Sequence, residues 1–316
     1  MVLTIVLIIA GFVLLIKGAG WMVDGSSALA KKYNVSDLVI GLTIVAFGTS
    51  APEMVVNIFA SLDNHSDIIY GNVIGSNNFN LFVILGIVGL ITPIVVTSGT
   101  VYKEIPISFI ALFFMFLLSN GFMSGGEKIL SRWDGLILLG LFAGFLYYIY
   151  LQLKSKTASA EIQLKTFSTL KISSLIVGGL LGLIIGGKLV VDSAIDIANS
   201  LGMSEKLIGL TIIAAGTSLP ELTTSIVAAL KKNSDIAIGN VIGSNIFNIL
   251  LVLSLSAFIN PITFDPKFNF EMYLMAGGTL LLFLVMFTGK KKKLDRWEAA
   301  LFLLVFITYT VYLIMG

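Results

Sequence analysis

Two hexapeptides in this chain, GTSAPE at 48–53 and GTSLPE at 216–221, each set two hydroxyls and a carboxylate inside an otherwise apolar stretch. Thr49, Ser50 and Glu53 are three or four positions apart, so on a helix they share one face, and Thr217, Ser218 and Glu221 repeat the arrangement. Pro52 and Pro220 carry no amide hydrogen. The carbonyls of Gly48 and Gly216 therefore lose their helical partner, and the helix is expected to kink or break there. Oxygens freed at such a break can face a cavity, and the two glycines are expected to let the backbone come close to it. A second pair of motifs, GNVIGSNNFN at 71–80 and GNVIGSNIFN at 239–248, sets Ser76 four residues before Asn80 and Ser244 four before Asn248. Each pair points a hydroxyl and an amide oxygen the same way. Gly71, Gly75, Gly239 and Gly243 form GxxxG patterns, whose ordinary role is close packing, but packing leaves the repeated oxygens unexplained. Asn72, Asn77, Asn240 and Asn245 read first as groups that satisfy interrupted helical backbone, and second as ligands.

Glu53 and Glu221 lie roughly 15 residues into their apolar stretches, where an ionised carboxylate costs several kcal/mol unless something positive compensates. No Lys or Arg recurs at paired positions in these segments, which leaves a cation as the simplest partner. Hard cations such as Na⁺ and Ca²⁺ take carboxylate, carbonyl, hydroxyl and amide oxygens, the groups the motifs supply. Other chemistries find little support. There is no cysteine, and no zinc motif, P-loop, dinucleotide fingerprint or nucleophile-base pair, so an enzyme and a tightly bound cofactor are not expected. The single histidine, His65, sits in the polar turn DNHSD and reads as a solvated loop residue.

The elements that must position these groups are membrane spans. Of 316 residues 57% are hydrophobic and 12% charged, and the mean hydropathy is +0.99, far from the composition of soluble domains. Ten runs long enough to cross the hydrocarbon core cover roughly 3–29, 37–62, 68–92, 102–121, 132–152, 171–198, 205–230, 236–259, 269–289 and 296–315. Lipid-facing backbone must satisfy its own hydrogen bonds, and these runs are too continuously apolar for barrel strands, so the fold class is all-α and polytopic. The first run lacks a basic leader and continues past Lys17, and it reads as a retained span rather than a signal peptide.

The segments 36–93 and 204–261 align without a gap at an offset of 168, with 30 of 58 positions identical. The copies begin at spans 2 and 7, giving five spans per half. An odd number makes the halves enter the membrane from opposite sides, an inverted-topology duplication. Asp24 with Asp192, and SRWD at 131–134 with DRWE at 295–298, echo the same division. The expected organisation is a first half at 1–153, a cytoplasmic linker at 154–170 and a second half at 171–316. Loops after the odd-numbered spans hold fourteen basic residues and the other side only Lys128, Arg132, Lys206 and Lys267. The positive-inside rule then puts the basic side in the cytoplasm and both termini outside, in a multi-pass protein of a prokaryotic plasma membrane. The run GKKKKLDR reads as an anchor beside a span rather than a nucleic-acid site. Lys17, Lys188, Asp24 and Asp192 read as snorkelling or capping groups, and the glycines of VGGLLGLIIGG at 177–187 as a sliding helix contact.

GTSAPE with GTSLPE, and GNVIGSN followed by Asn in both copies, resemble the alpha-repeats of the sodium/calcium exchanger superfamily of cation antiporters, and the likeness covers the whole chain. The resemblance implies a diamond of ion sites made by spans 2, 3, 7 and 8, with spans 1 and 6 as a long tilted pair that slides across them. It places the central glutamates on Glu53 and Glu221, and the hydroxyl ligands on Thr49, Ser50, Thr217, Ser218, Ser76 and Ser244. Backbone carbonyl ligands fall on Ala46 and Ala214, and amide ligands on Asn80 and Asn248. At the last position the better characterised sodium/calcium members often carry aspartate, so this chain departs from them. The implied function is antiport of sodium for calcium by alternating access, with the two ions and the bilayer as its partners and the oligomeric state open. The nearest rival is a calcium/proton exchanger in which Glu53 and Glu221 release calcium on protonation. A potassium-dependent sodium/calcium exchanger is less favoured, because the acidity such exchangers use near position 248 is missing. A cation channel is a further alternative, distinguished by single-channel currents.

Overall fold

The computed structural model describes residues 2–122, 125–154, 167–200, 214–288 and 292–315. The first half runs through α1 (Val2–Tyr33), α2 (Asp37–Thr49), α3 (Ala51–Leu62), α4 (Ser66–Ile91), α5 (Thr100–Ser119) and α6 (Arg132–Lys154). The second runs through α7 (Thr169–Ser200), α8 (Ala214–Thr217), α9 (Leu219–Leu230), α10 (Ser234–Ile259), α11 (Pro266–Val285) and α12 (Arg296–Met315). Among the described residues eight helices are long and apolar enough to cross a bilayer, and α2 with α3 makes a ninth, bent span. Residues 205–213, the start of the expected seventh span, and most of the expected linker lie outside the described residues.

The expected break at the proline motif is present. α2 and α3 meet at Ser50 with a bend of 47°. Ser50 has φ −80°, ψ 8°, and Ser218, between α8 and α9, has φ −87°, ψ 7°, so the same sequence distorts the backbone in the same way twice. Proline then sits within the first two positions of α3 and of α9, where a missing N–H costs nothing. π-helical turns at Phe79–Ile84 in α4 and Asn248–Leu253 in α10 interrupt these helices just where the last asparagine of each motif, Asn80 or Asn248, falls.

Burial sorts the helices. Of an apolar stretch of 18 residues in each, 72% in α4 and 78% in α10 are buried, against 17% in α6 and in α12, so the GNVIGSN motifs occupy the middle of the protein and the aromatic-rich last helix of each half faces outward. α1 and α7 cross along glycine stripes. An added Cβ at Gly18 would lie 2.8 Å from the Gly179 carbonyl oxygen, and one at Gly179 only 2.6 Å from the Met22 nitrogen. Gly11 and Gly186 meet in the same way further along. This is the close helix contact expected of 177–187. Gly239 and Gly243 likewise press on α2, at Leu38, Gly41 and Leu42. The repeat counterparts of those residues, 206–210, are outside the described residues, and nothing described lies within 4 Å of a Cβ at Gly71 or Gly75.

The inversion is visible in the loops. Four two-residue strands, which the sequence did not announce, pair as β1 (Ile94–Val95) with β4 (Lys293–Leu294) and β2 (Ile129–Leu130) with β3 (Ile262–Thr263). β1 and β3 are repeat counterparts, yet they pair with different loops. Lys292 Nζ also donates to Ser98 Oγ at 2.6 Å, and Asn233 Nδ2 to Ser27 Oγ at 3.0 Å and Asp37 Oδ2 at 2.8 Å. Those contacts join loops that follow odd-numbered spans. Thr263 N to Ser66 Oγ at 3.1 Å, Phe264 N to Lys128 O at 2.8 Å and Lys267 with Asp67 at 2.7 Å join loops that follow even-numbered ones. Equivalent loops thus sit on opposite faces, and the basic loops share one face.

Candidate cation site

The two helix breaks meet at the centre of the protein. Ser50 Oγ donates to Glu221 Oε1 at 3.0 Å, and Ser218 Oγ donates to Glu53 Oε1 at 3.2 Å, so each carboxylate accepts from the serine of the other repeat. Both glutamates sit in the first turn of their helices, α3 and α9, where the exposed amide dipoles favour negative charge. Ser76 Oγ in α4 adds a bond to Glu53 Oε1 at 3.4 Å. Its counterpart Ser244 faces Glu221 without a hydrogen bond of ordinary geometry. Glu53 and Glu221 are about 1% and 0% exposed, and neither forms an ion pair with any described residue. Their Oε2 atoms have no hydrogen-bond partner among the described residues.

The threonines send their protons across the repeat boundary. Thr49 Oγ1 donates to Asn240 Oδ1 at 2.9 Å, and Thr217 Oγ1 to Asn72 Oδ1 at 3.4 Å. Asn72 Nδ2 donates to the Glu53 carbonyl at 3.2 Å, and Asn240 Nδ2 to the Glu221 carbonyl at 3.2 Å. The favoured reading of Asn72 and Asn240, as amides that satisfy backbone beside a helix break, agrees with this geometry. The Ala46 carbonyl accepts the helical bond from Ser50 N at 3.0 Å and a contact from Thr49 Oγ1 at 3.4 Å. Ala214 opens α8. Gly48 and Gly216 turn away from this centre: a Cβ on Gly48 would meet Met22 of α1 and Leu180 of α7, and one on Gly216 would meet Val191 of α7. Their smallness serves the crossing helices, not the approach of backbone to a cavity as expected.

On α4 and α10 the asparagines form a reciprocal bracket. Asn77 Nδ2 donates to the Asn245 carbonyl and Asn245 Nδ2 to the Asn77 carbonyl, each at 3.3 Å. Asn80 Nδ2 donates to Asn245 Oδ1 and Asn248 Nδ2 to Asn77 Oδ1, each at 3.1 Å. The Oδ1 atoms of Asn80 and Asn248 are left buried and without partners among the described residues. With the two unpartnered glutamate oxygens this makes two carboxylate and two amide oxygens, with no basic side chain among the described residues bonded to them. Buried acceptors left open cost about 1–3 kcal/mol each, and a hard cation is the group that satisfies several at once. Among the described residues no three His, Cys, Asp or Glu side chains gather to hold a metal, so any cation here relies on neutral oxygens beside the glutamate pair.

Asn57 and Ser225, one turn beyond the glutamates, also belong to this centre. Asn57 Oδ1 accepts from Asn72 Nδ2 at 2.7 Å, and Ser225 Oγ accepts from Asn240 Nδ2 at 3.0 Å. They occupy the same repeat position, and that coincidence of polar residues in two apolar helices was the signal that could have found them.

The family profile described as sodium/calcium exchanger protein matches residues 3–151 and 172–315. CaxA of Alkalimonas amylolytica is 38% identical over 321 residues, covering 98% of each chain. The sodium/calcium exchanger MaX1 of Methanosarcina acetivorans is 30% identical over 354 residues, covering 97% of each. Among solved structures, that of the sodium-calcium exchanger NCX_Mj soaked with 2.5 mM Na⁺ and 10 mM Sr²⁺ superposes with a TM-score of 0.83 at 34% identity, covering 98% of both chains.

Proposed function

This chain belongs to the sodium/calcium exchanger family, and we propose that Glu53, Glu221, Asn80 and Asn248, with the hydroxyls of Thr49, Ser50, Ser76, Thr217, Ser218 and Ser244, form its transport site. The protein is a secondary active antiporter that exchanges sodium for calcium by alternating access; it is not an enzyme. The observation that carries the assignment is that Glu53 and Glu221, and Asn80 and Asn248, at matching positions of the two repeats, each keep a buried oxygen without a partner among the described residues. The carbonyls of Ala46 and Ala214 complete the set when the first turn before each break relaxes its helical bonding.

Charge explains why the ions alternate. Two carboxylates balance one Ca²⁺ or two Na⁺, and a further cation would sit uncompensated in a medium of low dielectric. An empty site would leave the glutamates facing each other without a counter-charge, which discourages return without cargo. Asparagine at 248 holds the formal charge at this value, so the site takes calcium and sodium by exclusion rather than together, and it offers potassium no additional carboxylate. The halves 1–153 and 171–316, joined by the linker 154–170, rock about this centre, with α1 and α7 sliding along their glycine stripes. The basic face lies in the cytoplasm, which places both termini outside.

Uptake of ⁴⁵Ca²⁺ into proteoliposomes under separately imposed sodium, proton and potassium gradients at clamped voltage tests the function. The sodium gradient alone is expected to drive uptake. Uptake driven by pH and indifferent to sodium would overturn the reading in favour of proton exchange. Because the natural chain has no cysteine, single cysteines at Lys292 and Lys267 test the orientation. An impermeant thiol reagent is expected to reach position 267 from outside intact cells and position 292 only after the membrane is opened.

A further inference from the structure

We infer that Asn77 and Asn245, which are not ligands in the proposed site, are positioning residues that select the oxygen rather than the nitrogen of Asn248 and Asn80 to face the cation. The inference rests on the transport site proposed above and extends it to two residues nothing else assigns.

An asparagine amide offers an acceptor at one end and two donors at the other, and rotation by half a turn exchanges them. Only the oxygen end can bind a cation; the other end would present N–H groups to it. Something must therefore fix the rotation of Asn80 and Asn248. The fixed reference is main chain. The Asn245 carbonyl can only accept, so it requires the NH₂ end of Asn77, and the Asn77 carbonyl requires the NH₂ end of Asn245, both at 3.3 Å. With those nitrogens committed, Asn77 Oδ1 is left to accept, and it draws the NH₂ of Asn248 at 3.1 Å. Asn245 Oδ1 draws the NH₂ of Asn80, also at 3.1 Å. The oxygens of Asn248 and Asn80 are thereby turned the other way, and both are left without partners among the described residues.

The chain of constraint crosses between repeats at each step. Asn77 of the first half aims Asn248 of the second, and Asn245 of the second aims Asn80 of the first. Asn77, Asn80, Asn245 and Asn248 are all at most 3% exposed, so bulk solvent does not reach these bonds. A single shift between α4 and α10 would loosen both amide ligands together, which makes this bracket a means by which helix movement can change ion affinity without moving a glutamate.

A double-mutant cycle tests it, reading the ⁴⁵Ca²⁺ KM and maximal rate of sodium-driven uptake in proteoliposomes. Asn77→Ala is expected to raise the calcium KM about tenfold to a hundredfold, the usual cost of removing a group that orients a metal ligand. In an Asn248→Ala background, where no amide remains to be aimed, Asn77→Ala is expected to add less than about threefold. The coupling should be specific: Asn77 with Asn248 and Asn245 with Asn80, but not Asn77 with Asn80, because the main-chain carbonyl of residue 77 survives truncation and still holds Asn245. Multiplicative effects in every pairing, or equal coupling of Asn77 to both ligands, would overturn the inference and leave Asn77 as ordinary packing. Melting temperatures of the detergent-solubilised variants identify any that fail to fold, and Asn77→Ser, which keeps a short acceptor, then replaces Asn77→Ala in the same cycle. If Asn248→Ala alone leaves the calcium KM unchanged, it is the ligand assignment that fails.

Discussion

At the residue level the chemistry depends on the two carboxylates being charged where no basic side chain among the described residues meets them. Glu53→Gln and Glu221→Gln keep the volume and an acceptor for the bond from Ser218 or Ser50, and remove only the charge. Each is expected to abolish nearly all calcium uptake. Neutralising a buried, uncompensated charge should at the same time leave the ion-free protein as stable as wild type or more so. In wild type, calcium at a hundred times its Kd should stabilise by about 2.7 kcal/mol, and in either variant that ion-dependent rise in melting temperature should vanish. Wild-type flux or an undiminished shift would remove that carboxylate from the site. Asn248→Asp adds a charge beside Asn77 and is expected to change the sodium dependence or the charge moved per calcium. These residues were legible in the sequence because each appears twice in an apolar setting. The direction of their hydrogen bonds was not. Ser50 reaches Glu221 and Asn80 reaches Asn245 across more than half the chain, and no local spacing encodes which oxygen is left over.

At the level of elements, composition and the proline motifs foretold the spans and the break at Ser50, while short-range geometry stayed hidden. SRWD and DRWE were readable only as echoes of the repeat. In the structure they cap α6 and α12: Ser131 N–H donates to Asp134 Oδ2 at 2.8 Å, and Asp295 N–H to Glu298 Oε2 at 2.8 Å. Arg132 and Arg296 then reach the carbonyls ending α10 and α4, Ile259 and Ile91, from the opposite repeat, at 3.3 and 3.4 Å. Strands of two residues carry no sequence pattern, so β1 to β4 could not have been read in advance. The glycine stripe permits a sharper prediction, because neighbouring glycines in α7 differ in what surrounds them. A side chain at Gly179 would strike the α1 backbone at Met22, whereas one at Gly178 meets only the edge of Trp21, 3.9 Å away. Gly179→Leu is expected to cost about 1–3 kcal/mol through overpacking and to suppress transport, and Gly178→Leu to leave both close to wild type. Equal effects in uptake and melting assays would show that the close crossing of α1 and α7 is not what transport requires.

Across the whole molecule the duplication is nearly symmetric inside and asymmetric at its faces. On the basic face Lys231 ties α9 to α1, with Nζ 2.7 Å from Asp24 Oδ1 and 2.9 Å from the Gly20 carbonyl. The repeat counterparts of Lys231 and Asp24 are Asp63 and Asp192, two like charges, and Asp192 instead pairs with Lys188 within α7 at 2.9 Å. Inverting the arrangement therefore cannot recreate the tie on the opposite face, and the two access states differ in energy even where their cores are equivalent. The difference is small, because Asp24 is about half exposed and Lys231 about a third exposed. An exposed ion pair is worth at most about 1 kcal/mol, or roughly fivefold in a population, and less as salt rises. Lys231→Met is accordingly expected to speed amide hydrogen exchange at the end of α1 by no more than about fivefold at low ionic strength, with wild type approaching the variant at high salt. Asp63→Lys, which offers Asp192 an opposite charge, is expected to slow exchange at the corresponding end of α7. If exchange there is unchanged while the Lys231 effect appears, the tie is local to one face and does not set the balance between the two states.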